Sequence, residues 1–143
     1  MLAASGYLEQ LVQSFTSDPS FSDMTFKIAY ENKICTTPIS GPIVAFTTDR
    51  MTIGEQLTRY NPDGSQIISK ARVVDTVVKA AIFVPYQSGA VKCFEVFDKV
   101  FTKLLFSSNL NITGAHCYSS NYDKQCGALV LNADFTMHTR EEA

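Results

Sequence analysis

The chain has 143 residues, 45% hydrophobic and 18% charged, with a formal net charge of -2. A chain of this length buries roughly two thirds of its unfolded surface in one core without disulfide or metal staples, and it is too apolar to be disordered. The charge balance excludes the strong field of a nucleic-acid or membrane-surface binder, and no run of about eighteen apolar residues offers a membrane span, so one domain over residues 1–143 with a protein partner is expected.

The N-terminal "MLAASGYLEQLVQSF" lacks a basic leader and a long apolar stretch, so a cytoplasmic location is expected. Within it, Leu8, Leu11, Val12 and Phe15 recur at i, i+3, i+4, i+7 and predict an amphipathic helix over residues 2–16. Pro19 then ends it. In "MTFKIAY", Met24, Phe26, Ile28 and Tyr30 share one side, which predicts a half-buried strand. "ENK" reads as a turn into "ICTT", giving a short hairpin, and Pro38, Gly41 and Pro42 mark an irregular connection before the strand "IVAFTT".

The signal weakens between Asp49 and Arg72. "NPDGS" is a turn, and its flanks "EQLTRY" and "QIISKAR" form a long hairpin or stay mobile until a partner orders them. Arg50, Arg59, Lys70 and Arg72 gather there and are the candidate partner-binding residues, against the simpler reading of a solvated hairpin.

From Val73 the pattern sharpens. Val74, Val78, Ala80, Ile82 and Val84 form one apolar face of a long strand, opposite Asp75 and Lys79. Pro85 stops it, and Ser88 is the expected N-cap of a helix reaching about Phe106. The expected buried stripe is Val91, Phe94, Phe97, Val100, Phe101, Leu104 and Leu105, with Lys92, Glu95, Lys99 and Lys103 outside it. A strand "NITGAHCY", a turn "SSNYDKQCG" and a strand in which Leu129, Leu131, Ala133, Phe135 and Met137 face the core complete the chain. The fold class is therefore α+β: a mostly antiparallel sheet with two helices packed on one face.

No catalytic or cofactor motif stands out. His116, Cys117, Cys126 and His138 are metal-capable residue types, but neighbours on a strand point to opposite faces and the spacing matches no common zinc finger. Cys35, Cys93, Cys117 and Cys126 are expected as reduced thiols, with a Cys117–Cys126 link across a hairpin as the alternative. Asp75, Asp123 and Asp134, with Ser119 or Ser120, lack the context of a nucleophile triad. Asp123 reads as a turn residue and Asp134 as a solvated strand position. The seven glycines form no phosphate-binding loop.

The segment order of the second half resembles that of tail terminator proteins of long-tailed bacteriophages and phage-tail-like particles. The resemblance rests on a long strand ending "AAIFVPYQ", the helix "AVKCFEVFDKVFTKLL", the strand "NITGAHCY", the polar turn with "NYDKQCG" and the final strand "ALVLNADFTMHTREE". It implies a non-enzymatic protein without cofactor. Such a protein forms a ring, usually hexameric, that caps the tail tube, ends its growth and presents the head or neck attachment surface. The implied partners are other copies of the chain, the tail tube protein and a neck or head-completion protein, in a virion tail or phage-tail-like particle assembled in the bacterial cytoplasm. Another ring-forming neck or tail component, or a small ligand-binding or metabolic enzyme domain, is the alternative.

Overall fold

The structure, a computed structural model, describes residues 4–28, 39–124 and 127–142. Its elements are α1 (Ala4–Thr16), β1 (Thr25–Ile28), β2 (Ile43–Tyr60), β3 (Ile67–Pro85), α2 (Ala90–Thr102), β4 (Ile112–Asp123) and β5 (Ala128–Glu142). The strands form one sheet in the order β1-β2-β3-β5-β4. β1 runs parallel to β2, and the other neighbours are antiparallel. This is the α+β arrangement, with a mostly antiparallel sheet. Tyr30 and the second strand expected at "ICTT" lie outside the described residues.

Register explains which side is closed. Even-numbered residues of β3 from Val74 to Val84 are buried, Thr76 among them. They align with Val44 and Phe46 of β2 and with Leu129, Leu131, Ala133, Phe135 and Met137 of β5. Alternation turns all of these to one face, and both helices pack there: α1 against β1 and β2, α2 against β3 and β5. α1 contributes Leu8, Leu11 and Phe15. Phe15 stacks on Phe26 at 4.6 Å between ring centroids and meets Phe21 edge-on at 5.0 Å.

The two helices are tied along one flank of α2. Lys103 Nζ donates to Ser14 O at 2.9 Å and to Asp18 Oδ2 at 3.0 Å, while lying 4.8 Å from the centre of the Phe15 ring. Lys99 donates to Ser20 O and sits over Phe21. These lysines fall outside the apolar stripe, and their stems and charges join the helices. Asp18 is held below the usual carboxylate range by the Ser20 N–H and the Lys103 ammonium.

Three expectations are corrected. Ser88 is not the N-cap: Tyr86–Ser88 form a 3-10 turn and Gly89 takes the cap position. Gly89 has φ 81°, a conformation that disfavours a side chain. The buried stripe of α2 is Cys93, Val96, Val100, Phe101 and Leu104, rotated from the expected one. Val91, Phe94 and Leu105 are exposed, and Phe97 is half-buried. Beyond Thr102 the helix widens into one π turn, Lys103–Ser107. Finally, "SSNYD" is strand rather than turn. The register shift between Cys117 and Ser120 is a bulge, with Tyr118 and Ser119 opposite Asn132, after which β4 continues to Asp123.

The rotated stripe changes what mutations of α2 do. Phe101→Ala is expected to cost about 3–5 kcal/mol, the range for deleting a buried aromatic side chain. Phe97→Ala should cost less and Phe94→Ala almost nothing, in a chemical denaturation series. Equal losses at Phe94 and Phe101 would show that the helix packs on another face.

Candidate functional site

No described helix lies on the other face of the sheet. Odd-numbered residues of β3 and even-numbered residues of β5 point there, and three polar groupings occupy it. His138 Nδ1 lies 2.7 Å from Asp75 Oδ1, across the β3–β5 pair. Lys79 Nζ lies 3.4 Å from Asp49 Oδ1. His116 Nδ1 lies 2.9 Å from Asp134 Oδ1, its register partner, and Tyr118 OH donates to Asp134 Oδ2 at 2.7 Å.

The last two groupings frame an open depression of about 620 Å³, with Arg50, Ser119 and Asn121 on its walls. The β4 bulge brings Ser119 beside Tyr118 on this face. Asp134 is no simple solvated position: burial pushes its carboxyl up, but hydrogen bonds from Tyr118 and His116 outweigh that and hold it below the usual range. The same bond raises the Tyr118 phenol.

This arrangement offers a carboxylate, a phenol and an imidazole in fixed relation on the open face. His116 meets a carboxylate on one ring nitrogen, as in a hydrolytic triad. No hydrogen bond joins Ser119 or Ser120 to it among the described residues. The metal-capable set is also dispersed. His116 faces the open side, Cys117 points to the helix side with its register partner Ala133, and His138 is engaged by Asp75. Cys126 lies outside the described residues. No group of three metal-capable side chains forms among the described residues. Cys93 and Cys117 are free thiols, the first buried and the second exposed.

The four basic candidates do not form one patch. Arg50 lies at the rim of the depression. Arg59, opposite Ser69, points to the open face, whereas Lys70 and Arg72, opposite Thr58 and Gln56, point to the helix side. Arg72 is tethered within the hairpin, donating to Gly54 O at 3.3 Å and Gln56 Oε1 at 3.1 Å. The hairpin itself is laddered from end to end apart from register shifts between Thr48 and Arg50, Ile53 and Gln56, and Arg59 and Tyr60. Its turn closes through Asn61 Oδ1, which accepts from Ser65 N and Gln66 N, and through Asp63 Oδ1, which accepts from Ser65 N at 2.8 Å.

Pattern reading missed the open edges and the apolar strip beside α2. β1 covers β2 only from Ile43 to Phe46, so Thr47–Tyr60 has a strand on one side only among the described residues. β4 likewise has only β5 beside it. The β2–β3 ribbon passes the last β5 partner at Ala71 and, from Ile67 to Lys70, projects by roughly 13 Å. Ile53 and Tyr60 on it are 52% and 54% exposed. The one available signal was the width of the apolar stripe of α2, which exceeds what a sheet beneath it can bury.

The Asp134 cluster sets a pH dependence. A carboxyl whose pKa is lower folded than unfolded contributes stability that is complete above the unfolded value, near 3.9 for Asp, and is lost as pH falls through the folded value. Asp134→Asn is therefore expected to narrow the stability difference between pH 6 and pH 3 relative to the parent, measured by urea denaturation. An unchanged pH profile would show that the Tyr118 and His116 bonds do not favour the ionised form.

In comparisons with known proteins, no protein-family model and no curated protein matches the sequence.

Proposed function

We propose that this chain is a structural assembly subunit, a tail-terminator-like protein that forms a ring, caps a tail tube and offers the head or neck its attachment surface. The observation that supports this reading most is the uneven finish of the sheet. One face is sealed by two helices, while among the described residues the other face, two edges and a projecting ribbon remain without a neighbour. Unpaired strand edges are normally blunted in proteins that stay alone, and a ring subunit needs two mutually complementary surfaces besides its core. The polar open face, with each histidine already paired to a carboxylate, suits contact with other protein surfaces. The identification of the tube as the partner, and sixfold symmetry, come from the resemblance in segment order.

Arg59, on the open face of β2, is the basic residue assigned to the tube contact, while Arg50 on the same face borders the depression. Lys70 and Arg72, on the opposite side of the ribbon, face a different neighbour. Light scattering over a concentration series, with and without purified tail tube, followed by imaging of tube ends, tests the reading. The expected outcome is growth from monomer to a closed ring and occupancy of tube ends, weakened by charge reversal at Arg59. A monomer that neither binds tube ends nor limits tube length would overturn it and favour a ligand-binding or enzymatic role.

A further inference from the structure

Two strips of this sheet match each other. Among the described residues, the free edge of β4 is 12 residues long, and the free stretch of β2 runs from Thr47 to Tyr60. They lie on opposite sides of one sheet. The β4 sequence "ITGAHCYSSNYD" contains no Lys, Arg or Pro, the residues that usually discourage edge pairing. Its bulges shorten the run available for pairing without closing it.

Beside the β4 edge lies an apolar strip. α2 covers β3 and β5, so the helix-side residues Cys117 and Tyr122 of β4 remain exposed. Lys99 and Lys103 bind the α1 flank of α2, so helical periodicity turns Phe94, Phe97 and Leu105 to the flank above β4. Tyr122 meets Tyr86, just before α2, at 5.3 Å between ring centroids. Asp98, one turn beyond Phe94 on the same flank, is the charge that borders the strip.

We propose that copies of this chain join edge to edge, the free edge of β4 in one copy pairing antiparallel with the free stretch of β2 in the next. This rests on the self-assembly reading above and names the surfaces it uses. The second copy brings Met51 and Ile53, which face the helix side by their register with Thr76 and Val74, onto the apolar strip. On the open face it brings Arg50 towards the Asp134 carboxylate. A paired run of about eight residues is roughly 27 Å long. With a strip about 10 Å wide, it covers on the order of 300 Å² per copy, well below the ~800 Å² per partner of a standard interface. A single junction is therefore weak, and closure, which holds each copy at both edges, stabilises the assembly.

Closure also predicts the register. From β2 to the β2 of the next copy there are four strand spacings, about 19 Å. Strands in a closed sheet tilt by roughly 35–45°, which slides the pairing along the strands by about four to six residues. Without a slide, Cys117 is level with Phe46, through Ala133 and Ala80. That position on the edge is occupied by β1. The slide therefore runs towards Tyr60, and past the β2 bulge at Asp49 it sets Cys117 opposite Met51 to Ile53.

The test uses the full chain with Cys35→Ser and Cys126→Ser, retaining Cys117, plus Met51→Cys or Ile53→Cys. Directly opposed strand residues satisfy disulfide geometry. Mild oxidation should yield a ladder of linked dimers, trimers and larger species that grows with protein concentration. It should be roughly tenfold stronger than in the parent, vanish with Cys117→Ser, and be absent with Tyr60→Cys as the only added thiol. Phe94→Lys, at an exposed position, should weaken association about tenfold and leave Tm unchanged. Assemblies seen by light scattering without the ladder would overturn the edge pairing and leave self-assembly standing. Absence of both would overturn both, and an equal ladder from Tyr60→Cys would overturn the register.

Discussion

Two helices of thirteen residues each have to cover one face of a five-stranded sheet. A helix with its side chains is roughly 10 Å across, the width of about two strand spacings, so two helices seal about four strands. The position of α2 decides which strand is left out. Lys99 and Lys103 bind its flank to the Ser14–Phe21 segment through backbone carbonyls, the Asp18 carboxylate and two phenylalanine rings. The helix is thereby held towards α1 and away from β4. The exposure of Phe94, Cys117 and Tyr122 follows from that placement.

The open face obeys a different rule. Its polar side chains pair across neighbouring strands, where register brings opposite residues close. His138 meets Asp75 and His116 meets Asp134 because each pair is aligned in the ladder. Asp134 also accepts from Tyr118, two residues beyond His116 on the same side of β4. These bonds orient side chains on a face that no described helix shields.

The length mismatch among strands gives the molecule its directionality. β2 and β3 hold 18 and 19 residues, whereas β1 holds 4 and β4 holds 12. The surplus becomes a ribbon, twisted and relieved by register shifts at Asp49, at Gly54 and Glu55, and near its tip. Because the short β1 and the β4 edge lie at the same end of the sheet, the free part of β2 is offset from the free edge of β4. Under the edge-to-edge proposal, this offset suits a tilted neighbour better than one placed level beside it.

Local chemistry was enough to determine much of this protein. The i, i+3, i+4, i+7 set in α1, the alternation of β5, the apolar side of β3 and the Asn61–Gln66 turn are each written in a few neighbouring residues, so pattern and turn preference reveal them. The α+β class follows from their order. Other features depended on contacts distant in sequence. Ser88 and Gly89 compete for one cap position, and the backbone conformation at the end of β3 favours the glycine. The stripe of α2 contains more apolar residues than the sheet can cover, so its rotation was set by the lysine contacts with α1. Asp134 reads as an exposed strand residue until β4 pairs beside it and supplies His116 and Tyr118. The two free edges are properties of strand order, which no single segment encodes. Only the tertiary structure could decide them, because an edge exists where a neighbouring strand fails to pair.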